Sequence, residues 1–140
     1  MPSMRLETIH LAAIDFSINE GFNPEKSVGE LNLDISTKNS YKEGDRISIV
    51  EVCAALAPEK NTDNNVPFFF NAKMRGVFKF EEGFDEDMLE KYQNINCPAI
   101  IFPYLRETVS DIVRRGGFQP LYLPVVNFVE FWKKSKEEIE

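Results

Sequence analysis

From Phe68 to Phe80 the chain alternates with a period of two. Phe68, Phe70, Ala72, Met74, Gly76, Phe78 and Phe80 fall on one side, and Asn71, Lys73, Arg75 and Lys79 on the other. Such a segment can be stable only as a strand with one buried and one wet face, so it commits the chain to a one-sided sheet. Leu31, Leu33 and Ile35 alternate with Glu30, Asn32, Asp34 and Ser36 in the same way and predict a second half-buried strand. Residues 9–18 and 47–56 alternate less cleanly, but their β-branched content and flanking turn residues predict two more. The links at 19–28, 38–45 and 58–67 are polar and carry Gly or Pro, and none is long enough for a helical crossover between parallel neighbours. The sheet is therefore expected to be antiparallel.

Helices are expected after the strands. Residues 85–92 form a short acidic candidate, and 98–115 a longer one with two adjacent i,i+4 rows: Ile100, Tyr104, Thr108, Ile112 and Ile101, Leu105, Val109, Val113. A band this broad predicts contacts on more than one side. Pro103 should kink or restart this helix, Arg114 and Arg115 suit its negative end, and Gly116-Gly117 can supply a left-handed cap. The connection at 118–124 is unusually apolar for a surface loop and should cover something. A last helix begins near Asn127 and carries Phe128, Phe131 and Trp132. The reading is α+β, with residues 1–140 as a single domain.

Composition removes several function classes. The formal net charge is −7, which disfavours nucleic acid and insertion into an anionic membrane, since both call for basic or long apolar segments. The first ten residues lack the basic flank, apolar run and cleavage site of a secretory leader, which predicts a cytoplasmic protein. Cys53 and Cys97 have no metal-ligand spacing, and His10 is the one histidine, so no metal site is expected. No nucleophile–base arrangement, phosphate loop or dinucleotide fingerprint is present, and neither an enzyme nor a bound cofactor is expected. The carboxylates around 81–87 suit a solvated helix amino terminus better than a calcium loop. What asks for explanation is an excess of aromatic residues, twelve of them Phe. Phe68, Phe70 and Phe78 suit a dense core, whereas Phe118, Tyr122 and Trp132 lie where a groove wall or a subunit contact is also plausible.

Residues 97–128 are sharply punctuated: Cys97-Pro98, Phe102-Pro103-Tyr104 followed by Arg106-Glu107, Arg115-Gly116, then Leu121, Leu123, Pro124 and Val125-Val126-Asn127-Phe128. With the Gly76-Val77-Phe78 triplet, this order resembles the SecB family of protein-export chaperones. The resemblance implies a four-stranded antiparallel sheet with helices packed on one face, assembled as a homotetramer, a dimer of dimers with the long helices between the dimers. It also implies a holdase that binds unfolded client polypeptides and keeps them competent for export or later folding. Carried over by position, the peptide-binding groove would be lined by Leu31, Leu33, Ile35, Phe68, Met74 and Trp132. The oligomer interface is expected at Ile101, Leu105, Val109 and Ile112.

Export members also dock the motor SecA through acidic residues on the first strand and on the strand before the Gly-Val-Phe triplet. This chain has Ala13, Ser17 and Asn71 at those places, which implies weak SecA docking. Two alternatives follow: a SecB-like chaperone of a toxin–antitoxin system or other non-export client, and a non-chaperone oligomeric ligand-binding or structural protein on the same fold.

Overall fold

The computed structural model describes residues 2–139. Four strands, β1 (Met4–Ile18), β2 (Asp34–Lys42), β3 (Ile47–Leu56) and β4 (Phe68–Phe80), form one antiparallel sheet in the order β1-β4-β3-β2. The helices are α1 (Glu86–Lys91), α2 (Cys97–Arg115) and α3 (Phe128–Ile139), with a π-helical turn at Tyr92–Asn96 joining the first two. The mixed α+β class and the antiparallel sheet agree with the sequence reading, and β3 and β4 have the expected bounds.

Two strands differ. β1 starts at Met4, five residues earlier than the alternation from Ile9 indicated, and two register shifts along its pairing with β4 explain why that alternation is uneven. The second strand lies at Asp34–Lys42 instead of around Leu31 to Ile35. Leu31 and Leu33 do pack against the core, but they lie in irregular chain without a ladder partner. The buried Asn61 side chain takes that place: its Oδ1 accepts from the Asn32 backbone N–H at 3.0 Å and its Nδ2 donates to the Asn32 carbonyl at 3.3 Å.

The connection from β1 to β2 must cross from one sheet edge to the other, because those strands are the two edges. Asparagines stitch it to the 61–67 segment. Asn19 Nδ2 donates to the Val66 carbonyl at 2.7 Å, and Asn65 Nδ2 to the Asn23 carbonyl at 2.8 Å, so polar backbone is satisfied without a regular element.

The core lies between α2 and the β3–β4 half of the sheet. Val50, Val52, Ala54 and Leu56 of β3 and Ala72 and Phe78 of β4 are fully buried, as are Ile101, Leu105, Val109 and Val113 of α2. Gly76 makes the close approach of helix to strand feasible: a Cβ there would lie 2.8 Å from the Phe78 ring and 3.0 Å from Ile101. Asp85 caps α1 by accepting from the Met88 N–H at 2.8 Å. Gln93 anchors the π turn to the sheet, its Nε2 donating to buried Ser48 Oγ at 2.8 Å. α2 runs without interruption through Pro103, which sits on the exposed side where the carbonyl left unpaired by its ring can reach water. The helix ends as expected. Gly117 takes a φ of 91°, the Gly117 N–H donates to the Arg114 carbonyl at 3.0 Å, and the Phe118 N–H donates to the Val113 carbonyl at 3.3 Å. The apolar connection after it does cover something. Phe118 packs on Phe68 with ring centroids 5.0 Å apart, and Leu123 is buried.

Candidate functional site

Two surfaces that mix apolar and polar residues are left open by this packing. The first lies between the edge strand β2 and α3. α3 is held down by Phe128, which is buried and meets Phe102 edge-on at 5.7 Å, and by Asn127, whose Oδ1 accepts from the Val129 and Glu130 N–H groups at 3.1 and 3.3 Å. One turn later, Phe131 and Trp132 come up half-buried beside the sheet edge. A cavity of about 590 Å³ is lined by apolar Ile35 and Phe131 and by polar Ser36, Thr37, Lys134 and Ser135, with the Lys60–Asp34 ion pair, 2.9 Å between charged atoms, also on its wall. A further 190 Å³ continues it past Trp132 and Asn94, sharing Thr37, Phe131 and Ser135 with the first. The Lys136 ammonium lies over the Trp132 ring, 4.0 Å from its centroid. Because β2 is an edge, a row of its backbone groups has no partner in the ladder. The trough thus offers apolar side chains, an aromatic ring and free strand backbone together.

Of the six groove residues expected from the sequence, Ile35 and Trp132 line this trough. Leu31 and Leu33 are half-buried in the segment that leads into β2. Phe68 and Met74 do not line this trough. Both are about 95% buried, Phe68 among Phe16, Phe70 and Phe118, because they lie on the face of β4 that carries the core. Their alternation with charged residues already marked them as core, and that reading overrides the positional one. Phe131 was missed as a groove residue, although it sits one position before Trp132 on the same amphipathic helix.

The second surface lies along β1. Leu6, Leu11, Ile14 and Ile18 share the apolar face with β4 but are 36–53% exposed, since α2 covers β3 and β4 and barely reaches β1. On α2 the neighbouring row is open as well, with Ile100 and Tyr104 at 37% and 47%. Between them runs a cleft of about 600 Å³ lined by Ile9, Leu11, Met74 and Tyr104 and by polar His10, Glu107, Thr108, Ser110 and Arg114. Asp111 stands at its rim, and hydrogen bonds from Arg115 and then Arg114 hold its carboxyl below the usual aspartate range. The broad apolar band on α2 is therefore two-sided, as expected, but the sides are reversed relative to the expected interface. Ile101, Leu105 and Val109 are fully buried against their own sheet and leave nothing for a second copy to touch, while Ile112 is half-buried.

Cys97 is buried beside Met4, its Sγ 3.3 Å from the Met4 Sδ, and burial pushes its thiol up to about 12, so it holds its proton at any ordinary pH. Among the described residues, no helix is long and apolar enough to cross a membrane.

The model of one protein family, described as preprotein translocase subunit SecB, matches residues 2–139. The protein-export protein SecB of Nitrosomonas eutropha is 33% identical over 114 residues, 81% of this chain and 70% of that relative. That of Cellvibrio japonicus is 31% identical over 130 residues, 91% of this chain and 75% of the relative. Among solved structures, the SecB-like chaperone of Mycobacterium tuberculosis in complex with a ChAD peptide from an antitoxin superposes with a TM-score of 0.65 at 18% identity, covering 88% of this chain and 90% of that one. The fold is thus shared well beyond the reach of sequence similarity.

Proposed function

The chain belongs to the SecB family, and from that premise we propose that it is a chaperone that holds unfolded polypeptides in the trough between β2 and α3 and keeps them competent for export. The observation that carries this reading is the juxtaposition of Ile35, Phe131 and Trp132 with the unpaired edge of β2. An extended client segment can extend the sheet through its backbone, which every sequence has, while apolar side chains at alternate positions fill the trough. Apolar contact is non-directional, so many clients fit. Folded proteins do not, because their apolar segments are hidden. No step of this work requires bond chemistry or a cofactor.

The same reading takes residues 1–140 as one domain that assembles as a dimer of dimers in the cytoplasm. The exposed residues Leu6, Leu11, Ile14 and Ile18 of β1 and the open row Ile100, Tyr104 offer apolar surface of the kind oligomers bury. Several troughs on one assembly let a long client gain avidity from modest contacts. Docking to SecA should be weak, since Ala13, Ser17 and Asn71 stand where export members have acidic residues. The names of the curated relatives favour export over the antitoxin role among the client classes.

The test uses Trp132 twice. As the sole tryptophan it reports locally on the trough, so its emission should shift when a reduced, unfolded client is added and stay unchanged with the folded form. Trp132→Ala should weaken client binding by roughly 1–3 kcal/mol with the oligomer unchanged. A parent protein that fails to delay aggregation of a denatured client at near-stoichiometric ratio would remove the chaperone reading, and an undiminished Trp132→Ala variant would remove the trough.

A further inference from the structure

The face of the sheet that points away from the helices carries a charge opposite to that of the chain. Directly paired residues in antiparallel strands share a face, so the register places Arg5, Lys79, Ile47 and Lys42 on one rung and His10, Arg75, Glu51 and Lys38 on another. Thr8, Val77, Ile49 and Ser40 form the rung between, and Lys73 adds a cation next to Arg75 along β4. Arg5, Lys38, Lys42, Lys73, Arg75 and Lys79 thus gather on one face of a chain whose net charge is −7.

Internal neutralisation is incomplete. Arg75 is paired with Glu51 at 2.7 Å and Arg5 with Glu7 at 2.6 Å. Lys79 donates to the Asp45 carbonyl. Lys38, Lys42 and Lys73 form no ion pair among the described residues. The remaining carboxylates of the face, Asp15 and Asp34, lie at its other end, and Asp34 is already held by Lys60. Moreover, Arg5 and Lys79 stand directly opposite one another across β1 and β4. Like charges at such a position destabilise a sheet, so this arrangement is not explained by the stability of the protomer.

We propose that this outer face docks an acidic, extended segment of a partner polypeptide, independently of the client trough. Along β4 the face presents Lys79, Val77, Arg75 and Lys73 in alternate positions, about 6.6 Å apart, the spacing of alternate side chains on an extended strand. The matching segment carries an acidic residue, an apolar residue and two further acidic residues at alternate positions. A long polyanion fits less well. Duplex DNA or a lipid surface extends past the patch into the field of the surrounding carboxylates, whereas a short segment feels mainly what lies within a Debye length of about 8 Å. The positions where a SecA-docking face would be acidic, Ala13, Ser17 and Asn71, lie on this same face, so its present sign selects against a basic partner.

The experiment is fluorescence anisotropy on the intact protein with a labelled peptide Asp-Ser-Leu-Ser-Asp-Ser-Asp, its Asn-for-Asp counterpart, a single-stranded oligonucleotide of equal charge and anionic vesicles. The acidic peptide is expected to bind in a salt-dependent manner and more tightly than the other three. Lys42→Glu with Lys73→Glu should weaken it about tenfold, and the milder Lys42→Ala with Lys73→Ala should weaken it less, in the same direction. Suppression of client aggregation by both variants should equal that of the parent, which also shows that they fold. Equal binding of the Asn counterpart, tighter binding of the oligonucleotide or vesicles, or joint loss of peptide binding and client holding would overturn the proposal. The first means no charge recognition, the second a different partner, and the third a face that belongs to the trough.

Discussion

The apolar face of the sheet has two halves that look alike in sequence and fare differently in the fold. Over β3 and β4, Val50, Val52, Ala54, Leu56 and Phe78 are sealed by α2. Over β1, residues of the same kind and on the same face remain open: Leu11 at 43%, Ile14 at 39% and Ile18 at 53%. The difference lies in what covers them. α2 presents one row to β3 and β4, and a single helix about 10 Å wide cannot also cover a strand at the sheet edge. Its second row, with Ile100 and Tyr104, instead joins β1 in forming an open surface. A core is closed by the chain itself, whereas in the proposed assembly such a surface would be closed by a neighbour.

The sharpest test of this contrast is to truncate one residue in each half. Phe78→Ala removes a fully buried ring beneath α2 and should cost about 3–5 kcal/mol of protomer stability. Ile14→Ala, measured under conditions that keep protomers apart, should cost about 1 kcal/mol or less, because a side chain already in water has less to lose. Urea unfolding followed by far-UV circular dichroism measures both. Similar losses at the two sites would mean that β1 is covered within the chain and that the two halves do not differ.

A charge placed on the open half should act on assembly instead. Ile14→Asp puts a carboxylate on the surface proposed to meet a second copy, and breaking one such contact is expected to cost about 2 kcal/mol or more of association energy at each interface. Light scattering should report species smaller than the parent's, with the secondary structure retained. Leu105→Asp should differ in kind: it lies under the sheet and should unfold the protomer outright. An Ile14→Asp protein of unchanged mass would move the interface away from β1.

How far the sequence could be read follows the same division. Strict alternation from Phe68 to Phe80 and the i,i+4 rows of α2 reveal elements whose neighbours lie within the chain, and those elements appear where expected. Alternation also names the buried face correctly, which is why Phe68 and Met74 are core. It cannot say which of two adjacent apolar rows is taken by the sheet, since Ile100 and Ile101 are equally apolar, and Ile101, Leu105 and Val109, expected at an interface, are instead buried against their own sheet, while Ile112 belongs to the open row. The shift of β2 has a different cause. Leu31, Leu33 and Ile35 continue one alternation, but strand pairing depends on the partner, and opposite Asn32 the partner is the Asn61 side chain. β2 itself reads as Ser, Thr, Asn and Lys, a weak strand signal that the neighbouring β3 rescues. The trough is no more legible in the sequence, because it is made by the position of β2 and by α3 folding back beside it.

The smallest expected effect concerns Asp111 at the rim of the open half. Hydrogen bonds from Arg115 and Arg114 depress its pKa below the ordinary value of 3.8, so the folded state favours the carboxylate more than the unfolded chain does. The associated stabilisation is therefore fully present above the unfolded pKa and is lost as pH falls through the lower, folded value. Asp111→Asn removes it at the start. The gap in urea midpoint between parent and variant should be small at pH 7, shrink below about pH 4 and vanish in stronger acid, with protein concentration held fixed so that assembly does not enter. Added salt should narrow the gap at pH 7, since these pairs are exposed to solvent. A gap that persists unchanged into acid would show that Asp111 acts by packing in the cleft and not by charge. The cleft rim would then be tighter than an open surface allows, and the boundary between the covered and uncovered halves would have to be drawn on the other side of this residue.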